Sequence, residues 1–138
     1  MPIQYPVDAG TIVLCDYGTG FREPEMVKRR PVIVVSKQLQ HRGMLCTVVP
    51  LSTTAPKFEV PYVHKLKLEK PLSPAFPDIE MWAKIDMLAT VGFHRLDLFR
   101  TMRDQTGRRR YFFPKVTQAD MRAIRVGISH ICEIDLID

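Results

Sequence analysis

The chain has 138 residues, 46% of them hydrophobic and 25% charged, the size and balance of one globular domain spanning 1–138 rather than of a disordered chain, a coiled-coil rod or a two-domain enzyme. No apolar run approaches the roughly 18 residues of a membrane span, and residues 1–10 carry Asp8 without the basic-then-apolar order of a secretory leader, so a cytoplasmic protein without a membrane partner is expected. The formal charge of +5 is unevenly placed: residues 100–125 hold eight basic side chains against Asp104 and Asp120, and the remainder sums to −1, a local field of the kind that draws an anionic partner or else a solvated basic face.

In chain order, residues 11–17 are β-rich and follow Gly10, which predicts a first strand. A loop with Gly18, Gly20 and Pro24 as breakers ends in Lys28-Arg29-Arg30. Pro31 then opens a second strand over 32–36, a β-branched run of the kind buried on both faces of a sheet. A third strand over 44–51 ends in Ser52-Thr53-Thr54. Residues 59–68 alternate weakly and suit an edge strand because of Pro61. Pro71, Pro74 and Pro77 make 70–78 an extended connection. A fifth strand is predicted over 82–91, with Ala83, Ile85, Met87, Ala89 and Val91 on its apolar face. Residues 93–99 suggest one helical turn, and 100–115, centred on Gly107, a basic hairpin. Thr117 with Asp120 three residues on is an N-cap signal. Met121, Ile124, Ile128 and Ile131 then form one helical stripe. About five strands followed by a helix predict an α+β fold, a small SH3-like antiparallel β-barrel with a C-terminal helix.

The widely spaced Cys15, Cys46 and Cys132 sit in apolar surroundings and read as buried free thiols; without a CxxC pair or a histidine at ligand spacing, no metal site is expected. No phosphate-cradling glycine motif and no nucleophile elbow occurs, and His41, His64, His94 and His130 stand apart from one another. Three places combine polar groups with an apolar scaffold. Arg30 precedes a proline, which holds its backbone extended at the rim of the sheet, and its guanidinium fork suits phosphate oxygens. Ser52, Thr53 and Thr54 lie at a strand end, where hydroxyls commonly cap turns. Asp86 lies inside the fifth strand, where a carboxylate is exposed, paired or functional.

Tyr5-Pro6-Val7-Asp8-Ala9-Gly10 followed by residues 12–17, then Glu25 five residues before Arg30-Pro31 and the 32–36 run, then Val48-Val49-Pro50-Leu51-Ser52-Thr53, resembles the MazF/PemK family of toxin endoribonucleases, and residues 85–91 resemble that family's later strand. The resemblance implies a dimerising SH3-like barrel, the toxin of a toxin-antitoxin pair. It implies sequence-selective cleavage of single-stranded RNA without metal or cofactor, silenced by a cognate antitoxin protein. It assigns catalysis to Arg30, Ser52 and Glu25: attack of the ribose 2′-OH on its own phosphate, with Arg30 neutralising the added charge, Ser52 fixing a nonbridging oxygen and Glu25 taking the 2′ proton. RNA contacts are expected from Lys28, Arg29 and Thr53 around that centre. Ser52 stands where the family more often has Thr, and Met87 and Ala89 where it often places Gln and Arg. The 70–78 segment and the hairpin insertion at 100–115 are longer than usual in the family.

Within that insertion Arg108, Arg109, Arg110 and Tyr111 mix guanidinium groups with an aromatic ring, a combination suited to single-stranded RNA. The alternative is that Phe112 and Phe113 pin the hairpin to the core while the arginines stay in solvent. Two other readings of the whole chain stand beside the ribonuclease: a CcdB-like toxin that inhibits gyrase by protein contact, and a non-cutting RNA-binding module on the same fold. The ending Ile134-Asp135-Leu136-Ile137-Asp138 lacks the CcdB family's Trp-Gly-Ile terminus.

Overall fold

The computed structural model describes residues 2–103 and 105–135, with residues 101–103, 109 and 110 described by their backbone alone. β1 (Ile12–Asp16) pairs antiparallel with β2 (Arg29–Val34), and β2 with β3 (Leu45–Ser52). The apolar residues of these strands alternate between two cores. Ile12, Ile33, Val49 and Leu51 face the first; Val13, Val32, Val34 and Val48 face the second, with Tyr17, Phe93 and Leu96. The 32–35 run is therefore covered on both sides, as its composition suggests. β2 begins three residues earlier than the sequence indicates, because Arg29, Arg30 and Pro31 pair with Asp16, Cys15 and Leu14 across the ladder. Arg30 is consequently a strand residue, not the last residue of a loop.

β4 (Val63–Lys67) and β5 (Glu80–Lys84) complete the other side, and β6 (Ala89–Gly92) and β7 (Leu96–Asp97) follow. The strands run β4-β5-β3-β2-β1-β7, with β6 also on β3. The path is open between β4 and β7, and β4 is the edge strand that Pro61 suggested. The expected single fifth strand is in fact β5 and β6, parted by a 3-10 turn over Ile85–Met87. Leu51 pairs with Ala83, but Val48 pairs with Ala89. Residues 84–88 thus stand opposite only Val49 and Pro50, a wide bulge. An odd number of extra residues reverses the faces: Ala83 and Ile85 enter the first core, whereas Val91 enters the second and Ala89 packs beside it. The helical turn expected over 93–99 is confined to Phe93–Arg95, after which Leu96 and Asp97 pair with Cys15 and Leu14.

The basic hairpin forms as a separate two-stranded sheet of β8 (Phe99–Arg103) and β9 (Arg109–Phe112). Phe99 is buried in the first core and Phe112 packs against it, whereas Phe113 stays 55% exposed. α1 (Gln118–Cys132) begins where the cap signal placed it: the Asp120 N–H donates to Thr117 Oγ1 at 3.1 Å, and Thr117 Oγ1 donates to Asp120 Oδ2 at 2.9 Å. Asp120 Oδ1 lies 2.8 Å from His64 Nε2, which ties the helix start to β4. Met121 and Ile124 are buried, and Ile128 and Ile131 pack at the edge of the same core. Among the described residues, no helix is long and apolar enough to cross a membrane.

At Gly127, α1 packs tightly against the 3-10 turn and the segment before β4. A Cβ there would lie 3.0 Å from the Pro61 carbonyl oxygen and would collide with Ile85 Cδ1. Gly127→Ala should lower stability by about 1–2 kcal/mol in urea unfolding, because overpacking of this kind typically outweighs the gain of about 1 kcal/mol in helix propensity. A stabilised Gly127→Ala variant would mean that Ile85 repacks freely.

Of the three cysteines, Cys15 is buried and Cys46 half-buried, but Cys132 is exposed, since it ends α1 one turn past the last buried position. Burial pushes the Cys15 and Cys46 thiols up from 9.0, each to about 11. Between those values the unfolded chain loses thiol protons that the folded chain keeps, so stability should fall as pH rises through that window. The urea midpoint should accordingly drop from pH 8 to pH 11, and at pH 8 a thiol reagent should modify Cys132 long before the other two.

Candidate nucleic-acid interface

The bonded ladder between β2 and β3 ends at Val32 and Pro50, although both strands continue for two or three residues beyond it. Pro31 and Pro50 lack an N–H and withdraw donors from the sheet at this seam. Beyond that end Arg30 stays paired with Cys15 of β1, while Leu51 and Ser52 pair with β5. On the far edge of β3, Ser52 pairs with Trp82, and Trp82 pairs with Lys65. Ser52, Trp82 and Lys65 therefore share one row across β3, β5 and β4 and one face of the sheet, the face opposite Leu51, Met81 and Ala83.

Arg30 is half-buried, and its side chain makes one hydrogen bond among the described residues, a long one from Nε to the Val27 carbonyl at 3.4 Å. Its terminal nitrogens stay available for an anion. Ser52 is only 7% exposed, and its Oγ accepts from the Thr54 N–H at 3.1 Å. The hydroxyl thus caps a turn, yet its own proton remains free to be donated. Beside Arg30's partner Cys15 lies Tyr17, whose Oη is buried against the Cys15 thiol without a hydrogen bond of proper geometry. Burial, reinforced by Cys15, holds that phenol well above the ordinary tyrosine range, while the charge of Arg30 pulls the other way.

The loop before β2 is pinned by a residue that its sequence neighbourhood gave no reason to single out. Arg95 donates from Nη1 to the carbonyls of Asp16 (3.1 Å) and Thr19 (2.6 Å) and stacks over Phe21 at 4.8 Å. Phe21 meets Tyr17 edge to face at 5.1 Å. Further along the loop Lys28 has a φ of 78°, a left-handed backbone that a lysine adopts only at a cost of about 1–3 kcal/mol, and it turns the chain sharply into Arg29. Glu25 is exposed in the turn closed by its own N–H to the Arg22 carbonyl (2.9 Å). Among the described residues no hydrogen bond or ion pair joins it to Arg30 or Ser52.

Two adjoining clefts extend the basic rim. One of about 210 Å³ is lined by Arg29, Arg30, Thr53, Phe76, Asp78 and Met81; one of about 630 Å³ runs from Arg29 and Phe76 to Asp97, Phe99 and Arg100 at the base of the hairpin. Lys28, Arg29 and Thr53 are all exposed here. Arg108 is exposed and Tyr111 is 49% exposed on the hairpin; the side chains of Arg109 and Arg110 lie outside the described residues. Asp86 is exposed in the 3-10 turn, away from the row. Trp82, Lys65, Arg95 and Arg100 are the members sequence reasoning missed. Only the β3–β5 register could have revealed the first two, and a three-residue bulge conceals it.

Residues 8–130 match the model of the family of PemK-like, MazF-like toxins of type II toxin-antitoxin systems. The uncharacterized protein YifN of Escherichia coli (strain K12) is 31% identical over 141 residues, covering 98% of this chain and 88% of that protein. Among solved structures, a mycobacterial endoribonuclease in complex with its cognate antitoxin superposes with a TM-score of 0.62 at 20% identity, covering 96% of this chain and all of that one. MazF of Deinococcus radiodurans superposes with a TM-score of 0.59 at 16% identity, covering 94% and 97%. At these identities the superpositions establish a shared fold, and the family match over 8–130 establishes kinship: the chain belongs to the PemK-like, MazF-like toxins of type II toxin-antitoxin systems.

Proposed function

We propose that the protein is the toxin of a toxin-antitoxin pair and cuts single-stranded RNA selectively at the Arg30–Ser52 seam, with Glu25 as base, as a homodimer restrained by a cognate antitoxin. What supports this reading is that Arg30, its terminal nitrogens unbonded among the described residues, and Ser52 stand near the ends of β2 and β3 where the ladder between them stops, in a chain whose family match spans 8–130. Solved relatives of the same fold include endoribonucleases, one bound to its antitoxin.

In the proposed reaction Glu25 takes the proton of the ribose 2′-OH, and the 2′ oxygen bonds to the adjacent phosphorus. The bond from phosphorus to the 5′ oxygen breaks, and that oxygen leaves as a 5′-hydroxyl after protonation by water. A 2′,3′-cyclic phosphate remains. The nucleophile belongs to the substrate, so the step requires no activated water. Extra negative charge gathers on the nonbridging oxygens, where the Arg30 guanidinium and the Ser52 proton supply charge and a donor. In the proposed complex Glu25 closes on the seam from its exposed turn, as catalytic contacts often tighten only when substrate binds.

The protein should cleave mixed single-stranded RNA equally well in EDTA, giving cyclic phosphate and 5′-hydroxyl ends. Arg30→Ala should slow cleavage by about 10²–10³-fold with an unchanged melting temperature, because its single protein bond is long; Ser52→Ala should cost less, and Glu25→Gln should slow the chemistry without weakening binding. Products with 3′-hydroxyl ends, or a fully active Arg30→Ala variant, would refute the mechanism, and sedimentation of the same samples at micromolar concentration reports the dimer.

The hairpin arginines are proposed to contact phosphates. Replacing Arg108, Arg109 and Arg110 together with Ser should flatten the dependence of log affinity on log salt by about two, at about 0.7 per phosphate contact on a single strand. An unchanged slope assigns the arm to structure or to the antitoxin.

A further inference from the structure

We propose that Trp82 and Lys65 form a nucleobase platform beside the seam, which seats one unstacked base of single-stranded RNA and favours bases with an exocyclic amino group. The inference rests on the ribonuclease reading above and extends it to how the substrate is held.

Trp82 follows Ser52 directly in the cross-strand row, and Lys65 follows Trp82. Neighbouring strands lie about 4.8 Å apart, so the indole stands one strand from the hydroxyl. A strand whose phosphate is held at the seam has its next base within reach of the ring. Trp82 is half-buried and forms one wall of an open cleft of about 490 Å³, whose other walls are Pro56, Val60, Pro61 and Val63, with Lys65 and Glu59 at its margin. Apolar walls around an indole suit a flat ring, and stacking on an aromatic face is the main way proteins hold unpaired bases. Lys65 Nζ sits 5.7 Å from the Trp82 ring centroid and 3.6 Å from Glu80 Oε1. It can exchange that exposed carboxylate for the phosphate flanking a stacked base. Glu59, an exposed carboxylate, only accepts hydrogen bonds. It therefore rewards a base edge that carries an amino donor, and opposes uracil, whose single N–H lies between two carbonyls.

Trp82 is the only tryptophan in the chain, so its fluorescence reports this cleft alone. The probes are 2′-O-methyl decamers of adenosine, cytidine and uridine, which cannot be cut because the attacking oxygen is blocked. The adenosine and cytidine decamers should quench Trp82 saturably and bind more tightly than the uridine decamer. Trp82→Leu should weaken decamer binding and raise KM for cleavable RNA by about tenfold to a hundredfold, with Trp82→Phe restoring most of the loss. Lys65→Gln should reduce the salt slope of binding by about 0.7, a change that a purely structural lysine does not produce.

Saturable quenching by a protein that cuts no RNA leaves the platform standing and refutes the nuclease. Cleavage by wild type without quenching, or with KM unchanged in Trp82→Leu, refutes the platform and leaves the nuclease. Equal affinity for the three decamers refutes the base preference. A fluorescence change that follows protein concentration without RNA assigns the cleft to a second copy of the chain and likewise overturns the platform.

Discussion

Hydrogen bonding along both edges of β3 is the constraint from which the remaining architecture follows. One edge is given to β2; the other is divided between β6 along its first half and β5 along its last two residues. A single straight strand cannot fill that second edge and also feed both cores. The 3-10 turn at Ile85–Met87 resolves the conflict by changing faces midway. The turn is held in turn by α1, whose Gly127 lies against Ile85. Helix and sheet are thus coupled at the one point where the strand changes sides.

The proline pair acts on the opposite edge of β3. A central strand ordinarily excludes proline, and here Pro50 coincides with the end of the β2–β3 ladder. Where that bonding stops, a half-buried guanidinium and a nearly buried hydroxyl stand near the ends of the two strands. Behind the seam Tyr17 and Cys15 form a dry floor, and Arg95 fixes the loop that delivers Lys28 and Arg29. An anion arriving at the rim meets positive charge backed by apolar packing, where electrostatic attraction is less screened than in open solvent.

Much of this was legible in the residues. The helix was marked at its start by Thr117 and Asp120 and along its length by Met121 and Ile124, because capping and periodicity are local properties. The first three strands were marked by β-branched runs, and the hairpin by Gly107 between basic arms. The bulge was not legible: residues 82–91 keep an unbroken two-residue alternation, and only the competition of β5 and β6 for β3 reverses it. β2's early start was hidden by Pro31, which looks like a boundary but is tolerated inside the strand. Arg30 and Ser52 were visible as chemistry, whereas Trp82 and Lys65 were not, since their place beside the seam depends on pairings between residues up to thirty positions apart.

The row of Ser52, Trp82 and Lys65 draws one residue from each of three strands, in the spatial order β3, β5, β4. Nothing shorter than the chain through β5 contains it, and the turn that orients β5 is buttressed by a helix near the far terminus. A ribosome releasing this chain from its beginning emits Arg30 and Ser52 early but as unrelated side chains on a floppy polymer, because nonlocal pairing waits for its last partner. The surface therefore comes into being late and all together, so that a truncated or half-made copy carries the residues without the arrangement.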